Sequence, residues 1–399
     1  MTFDEEVSQL LEPVEAGKTL EPNRKKSADW TSGFQWNGDA GTVTTDPIAG
    51  TDPPQWGAVL SIFELNPDEF EIVEPVLFNA WHGGSPEGPV LYRQWKAKVI
   101  RKVRQDTVDV SELIDEIKKH KPAKKEIPTA EGSFCVVLAD WQIGKEGTNA
   151  TVHRILKAID DVENRVKELR KLGRPLGSLY VLWTGDAVEG CIGHYEMQTF
   201  STELDRREQV KVTRRLLRDA LIRWSKMFPE VVVVAVGGNH GENRSAQGKA
   251  YTTFGDNDDL AVVEQVAEIL ATNPETYGHV KFIIPQDHLT VTVEIAGWIL
   301  GLTHGHVARA GGTAEAKLHA WYNKMAGGKQ SVGNSDILVT GHYHHLRQAD
   351  WGGCMWLQAP SLDSGSEWWR MVSGEFSEAG VLTFAVYPDR RVADLEVLS

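Results

Sequence analysis

The residues of this chain best suited to chemistry are carboxylates, amides and imidazoles spread between positions 140 and 344. They are Asp140 and Gln142 in DWQ, Asp186 in GDAVEG, Asn239 and His240 in GGNH, His304 in THGH, and His342 and His344 in GHYH. Mixed oxygen and imidazole donors suit Mn2+, Fe or Zn2+, and suit Ca2+ less well. Two such ions ~3.5–4 Å apart can clamp the attacking and leaving oxygens of an in-line displacement at phosphorus. The pair needs a bridging carboxylate, and Asp186 is the natural one. A water between the ions would lose a proton near neutral pH and attack as a bridging hydroxide. A neighbouring imidazole could then steady the crowded charge or protonate the leaving oxygen.

Residues this far apart in sequence meet only if the fold gathers them. Each follows an apolar run that reads as a buried strand. Phe134 to Ala139 ends at Asp140, and Leu179 to Trp183 runs into Gly185 and Asp186. Val231 to Val236 precedes Asn239, Val291 to Leu302 precedes His304, and Ile337 to Thr340 precedes His342. Between the first two strands, Ile155, Ile159, Val162, Val166 and Leu169 recur at helical steps. Thr148 or Asn149 is the expected cap, and Gly173 and Pro175 the stop. A second long helix is expected from about Leu204 to Met227, and the stretch from Cys354 to Leu398 alternates like β structure. In α/β proteins, ligands collect at the carboxyl ends of strands, where the loops all point one way.

The order of these motifs resembles that of the calcineurin-like metallophosphoesterases: DxH, GD, GNH, a His in an HG context, then GHxH. The resemblance covers roughly residues 133 to 365. It implies a four-layer α/β/β/α sandwich with two divalent ions, Mn2+ first among Mg2+, Fe and Zn2+, at the strand ends between two sheets. It also implies that Asp140, Gln142, Asp186 and His344 hold the first ion, and that Asp186, Asn239, His304 and His342 hold the second. His240 becomes the catalytic imidazole, and Glu189 an acidic residue supporting the site from behind. Within the family the likeness leans towards the Mre11-type and phage-encoded nuclease branch, partly through the loop after Asp186 and the stretch APSLDSGSEWW. One departure stands out: Gln142 occupies a position where the family has His. An amide oxygen is a harder, weaker ligand, so the first ion should bind less tightly and lean towards Mn2+ or Mg2+ over Zn2+.

The expected activity is therefore hydrolysis of a phosphodiester in nucleic acid or a nucleotide, with DNA or RNA as the candidate partner. A phosphatase acting on monoesters is the alternative enzyme. A non-catalytic binding protein that keeps the fold with a weakened first metal site is the alternative from another class. Other histidines draw blander readings: His153, His194 and His345 are expected in surface or core roles. His306, two residues beyond His304, is read the same way, with contact to the site as the lesser reading.

Composition bounds the remainder. The chain has 399 residues, 41% of them apolar and 25% charged, as in ordinary globular proteins. Its net charge of −14 argues against a uniformly basic nucleic-acid grip. Cys135, Cys191 and Cys354 are sparse and unpaired in pattern, so they read as small buried apolar residues. The acidic start lacks a signal-peptide pattern, and no run approaches the ~20 apolar residues of a membrane span, so a cytoplasmic location without membrane contact is expected. Residues 1–125 are expected to form a tail and a small β-rich module of unknown role, ahead of the metallophosphoesterase domain at 130–399. Val110 to Lys119 reads as a helix, and His120 to Pro128 as a linker. In the module, Arg93, Lys96, Lys98, Arg101, Lys102 and Arg104, with Tyr92 and Trp95, could contact a phosphate backbone, although a solvated edge strand explains them as well.

Overall fold

The computed structural model describes residues 30–36, 40–67, 70–85, 88–101, 110–122, 130–195, 198–309, 312–363 and 377–399. The N-terminal tail, Lys102, Arg104, most of the expected linker and the SGSEWW part of the APSLDSGSEWW stretch lie outside these residues. The chain divides into two compact units, one of residues 12–108 and one that includes 109–399.

In the smaller unit, the described strands are β1 (Gly33–Trp36), β2 (Ala40–Thr44), β3 (Ile48–Ala49), β4 (Phe70–Ser85) and β5 (Gly88–Arg101), with one helix, α1 (Trp56–Ile62). Every pairing is antiparallel, and β5 bonds to β2, β3 and β4. Val43, Val59, Leu60, Phe70, Ala97 and Val99 form its core. The basic strand uses its aromatic residues internally. Trp95 is buried, with Phe78 5.0 Å away ring to ring, and the Arg93 guanidinium lies over Phe78. Trp95 is thus unavailable to stack on a base.

The larger unit opens with α2 (Val110–Lys119), which groups with it rather than with the module. Then come β6 (Gly132–Leu138), α3 (Thr148–Lys171), β7 (Leu176–Trp183), α4 (Arg206–Trp224), β8 (Glu230–Ala235), α5 (Asp258–Ala271) and β9 (Val280–Ile283). They are followed by β10 (Thr290–Ile295), β11 (Trp298–Thr303), α6 (Ala314–Gly327), β12 (Ile337–Thr340), β13 (Arg347–Asp350), β14 (Met355–Gln358), β15 (Val381–Tyr387) and β16 (Arg390–Leu398). One sheet has the order β16-β15-β6-β7-β8-β9, with β6 to β9 parallel. The other has the order β10-β11-β12-β14-β13, with β11, β12 and β14 parallel.

Strand periodicity explains how the sheets pack. Successive side chains of a strand point to opposite faces. Phe134, Val136 and Leu138 of β6 join the cluster formed with α3, α4 and α5. Cys135 and Val137 from the same strand join a second cluster with Leu300, Leu302, Ile337, Val339 and Leu357 of the other sheet. A strand covered on both faces must be apolar at every position, which is why these segments read as unbroken runs. On the far side of the second sheet, Leu318 of α6 packs with Leu338 and Trp356.

One local expectation is refined and one is corrected. The stretch from Val291 to Leu302 is a hairpin, β10 and β11, turning at Ala296 and Gly297, both of which have positive φ. Residues 291–295 alternate apolar and polar, and the short Ala296–Gly297 step separates them from the second strand. The cap of α3 is Gly147, at φ 85°, and neither Thr148 nor Asn149 takes that role. Glu203 instead accepts from the Gly147 and Thr148 amides at 3.0 and 3.1 Å. The Thr148 hydroxyl accepts from Gly144 N and donates to Lys145 O. A carboxylate distant in sequence thus does a cap's work, which local patterning cannot reveal.

Candidate metal centre

The parallel strands deliver their carboxyl ends to one edge of each sheet. Loops after β6 and β7 then run side by side: Asp140 N donates to Gly185 O, Gln142 N to Asp186 O, and Ile143 N to Ala187 O. In the other sheet, Gly341 N donates to His304 O. These lateral bonds hold the motif loops in register beyond the ends of the strands. Asp140, Gln142, Asp186, His342 and His344 all have positive φ, between 46° and 72°. This left-handed backbone costs non-glycine residues of order 1–3 kcal/mol each, and five such residues in one place mark a site where chemistry outranks stability.

Glycines beside them are required by space. A Cβ on Gly238 would lie 2.1 Å from Asp186 Oδ1, and one on Gly341 would lie 2.6 Å from Asp140 Oδ2. Asp259, fully buried at the start of α5, accepts from the Asp186, Ala187 and Gly238 amides at 2.8, 2.9 and 2.9 Å. It pins the GD loop to the GGNH loop. Burial, then the charge of Asp186, raise its pKa to about 6.

Asp186, His304 and His342 each present one ligand atom within 4.8 Å of the others. His304 Nε2 is 2.9 Å from Asp186 Oδ2 and 3.2 Å from Asn239 Oδ1. The other ring nitrogen, Nδ1, donates to Thr184 O at 2.9 Å, which leaves Nε2 free of its proton in the neutral ring. Among the described residues this is the one group of three or more His, Cys, Asp or Glu side chains that converges in this way.

The charges fit a cation. Burial opposes ionisation of Asp186, but His304 and His240 hold its carboxyl well below the usual range. Burial would lower the pKa of His304, yet Asp186 outweighs it and raises it to about 9. For His342, burial and then the neighbouring His304 push the pKa down to about 3, so its ring is neutral and free to ligate. A fully buried carboxylate, an amide oxygen and two imidazoles at this spacing form a donor set that fits one Mn2+, Fe or Zn2+ ion.

The other expected set is arranged differently. His344 Nε2 lies 3.3 Å from Asp140 Oδ1, and its Nδ1 lies 3.7 Å from Asp363 Oδ1. Gln142 turns its oxygen to Lys145 Nζ at 2.9 Å. That ammonium also pairs with Asp363. Burial favours the neutral acid at Asp363, but His344 and Lys145 hold it far below the ordinary carboxylate range. Gln142 therefore fits a metal poorly, because its oxygen already serves a cation.

His240 stands between the two sets. Its Nδ1 donates to Glu189 O at 2.8 Å and lies 3.4 Å from Glu189 Oε2, while its backbone N–H donates to Asp186 Oδ1 at 2.7 Å. Tyr195 OH holds the other Glu189 oxygen at 2.7 Å. Burial lowers the pKa of His240, but Asp186 and Glu189 more than offset it and raise it to about 9. Its Nε2 meets the Gln142 amide nitrogen at 3.4 Å, a contact that favours the neutral ring. Two nearby carboxylates outweigh one long contact, so the ring is an imidazolium at neutral pH.

All the expected residues thus lie in or around one locus, with Gln142 turned towards Lys145. His194 and His306 both lie beside the site. His194 stacks on His240 with centroids 4.0 Å apart and planes 7° apart. The His306 ring is 5.4 Å from that of His304, and its Nε2 is 3.7 Å from Glu242 Oε1. His153 is exposed. Sequence reasoning missed Lys145, Asp259 and Asp363. Asp363 had a usable signal, since it follows β14, another parallel strand. Asp259 had none, because the amides it binds on the GD and GGNH loops are distant in sequence, and for Lys145 only the neighbouring Gln142 is local while Asp363 is distant.

No family model matches the chain, and no curated protein matches it. Solved structures show weak likeness. Vacuolar protein sorting 29 from Cryptosporidium parvum is 18% identical over 64% of this chain and 86% of that one, with a TM-score of 0.29. A predicted phosphoesterase from Streptococcus pneumoniae is 13% identical over 66% and 94%, with a TM-score of 0.27. A hypothetical protein from Pyrococcus horikoshii is 10% identical over 67% and 88%, with a TM-score of 0.34. Likeness at this level assigns neither family nor activity.

Proposed function

We propose that this protein is a metal-dependent phosphoesterase that cleaves a phosphodiester, with nucleic acid or a nucleotide as substrate. The observation that carries the reading is the convergence of Asp186, His304 and His342, with Asn239, beside an imidazolium at His240. The order of motifs supports it, and so does the packing of helices outside two facing sheets, which we read as an α/β/β/α sandwich.

A divalent ion held by these four side chains would supply Lewis acidity and neutralise charge at phosphorus. The remaining work falls to the chain. Asp186 concentrates negative charge where a cation must sit, and Asp259 fixes its loop. Thr184 O holds His304 in the tautomer that ligates through Nε2. Glu189 O holds Nδ1 of His240 as a donor, so the mobile proton sits on Nε2, where it can pass to a leaving oxygen. His194, stacked on His240, excludes water from that face of the ring.

The test is hydrolysis of bis-p-nitrophenyl phosphate and of p-nitrophenyl phosphate by metal-stripped protein with Mn2+ restored, against Asp186→Asn. Mn2+-dependent cleavage of the diester is expected. Cleavage of the monoester alone would make the protein a phosphatase, and no cleavage with no bound metal would leave a binding protein.

A further inference from the structure

The poor fit of Gln142 has a positive counterpart. Lys145 Nζ donates to the amide oxygen that would have ligated the first ion, and the same ammonium pairs with Asp363. Asp363 is 4% exposed and is held through Ser361, whose Oγ bonds both its carboxylate and its backbone N–H at 2.8 Å. Asp363 in turn faces His344, and His344 faces Asp140. The lysine is anchored through its backbone as well, since Lys145 N donates to Gln142 O at 3.1 Å. The expected first ligand set is therefore a closed network that already contains a cation.

We propose that the Lys145 ammonium takes the place of the first metal, so that the centre holds one divalent ion, at Asp186, Asn239, His304 and His342, beside a fixed lysine charge. An ion on Gln142 Oε1 would sit about 4–5 Å from the ammonium, and a divalent–monovalent repulsion at that range is large inside a protein. The amide is also a weaker ligand than an imidazole, and the Asp363 charge that could draw an ion is already paired with the ammonium. The other ligand set meets no lysine or arginine among its described side-chain contacts, and the imidazole that faces Asp186 is itself one of the expected ligands, His304. The Asp186 carboxylate accepts from the His240 amide, and His304 bonds to Thr184 O and Asn239. Lys145 thus supplies as a side chain the charge that a second ion would bring, and keeps Asp363 and Gln142 in place.

The inference rests on the phosphoesterase reading only for the ion at Asp186. Titration of the metal-stripped full chain with Mn2+, followed by calorimetry and electron paramagnetic resonance, separates the two. One ion per chain with an uncoupled spectrum is expected, any second equivalent binding at least ~100-fold more weakly. Two ions of similar affinity with a spin-coupled spectrum would overturn the lysine assignment and leave the phosphoesterase reading standing. No bound Mn2+ would remove both. The double variant Gln142→His with Lys145→Met, checked for folding by thermal melting, should gain a second tight Mn2+. Lys145→Arg should stay at one. A folded double variant that still binds a single ion would also reject the role given to Lys145.

Discussion

At the scale of single residues, the proposed function divides its labour between Asp186 and His240. Asp186 faces His304 and receives the His240 amide on its other oxygen. Asn at this position tolerates left-handed backbone and keeps the shape but loses the charge. Asp186→Asn should therefore remain folded, lose Mn2+ in calorimetry and lose diesterase activity. His240→Asn should retain the metal and lower kcat by roughly 10²–10⁴, the range of a general acid; metal content and steady-state kinetics on the same sample would show this. The pKa shifts carry a sign that can be checked. His304 and His344 rise from 6.5 to about 9 and about 10 in the metal-free fold. Each contributes stability that is fully present below pH 6.5 and is lost as pH rises through those values. The metal-free Tm should thus fall between pH 6.5 and 10. Because a ligating imidazole must be neutral, Mn2+ binding at pH 7 should release a proton from His304 and tighten with rising pH. Calorimetry in buffers of different ionisation enthalpy measures that release.

At the scale of elements, the centre depends on how loops meet beyond the strands. Asp259, from the first turn of α5, satisfies amides of the GD and GGNH loops at once. Asp259→Ala should cost about 3 kcal/mol in urea unfolding, since buried N–H donors lose a charged acceptor. It should also weaken Mn2+ binding without removing a ligand. Gly238→Ala has no room beside Asp186 Oδ1, so its metal affinity should drop as the carboxylate is displaced, which the same titration would detect. Most strands were legible because a segment buried on both faces leaves an unbroken apolar run, as in β6, β7, β8 and β12. The β10–β11 turn was not, because it is only the two-residue step Ala296–Gly297 between two strand-like stretches. The start of α3 was misplaced because its acceptor, Glu203, lies far along the chain.

At the scale of the whole molecule, the two compact units have separate apolar cores. Val43, Val99 and their neighbours serve the smaller unit, while the two-sheet clusters serve the larger. A fragment of residues 109–399 should therefore unfold cooperatively and keep the Mn2+ stoichiometry of the full chain, as calorimetric melting and titration would show. Among the described residues, no helix is long and apolar enough to cross a membrane.

The sequence by itself determined the candidate ligands and the strands that carry them. Ligand chemistry is a property of residue type, and double-sided burial leaves its mark on consecutive positions. Only the tertiary structure decided how those ligands are used. It brought Lys145 and Asp363 into contact from positions far apart, turned the Gln142 oxygen to an ammonium, and laid His194 against His240. Charge pairing across a fold depends on distance in space, and no local pattern in the chain records that distance.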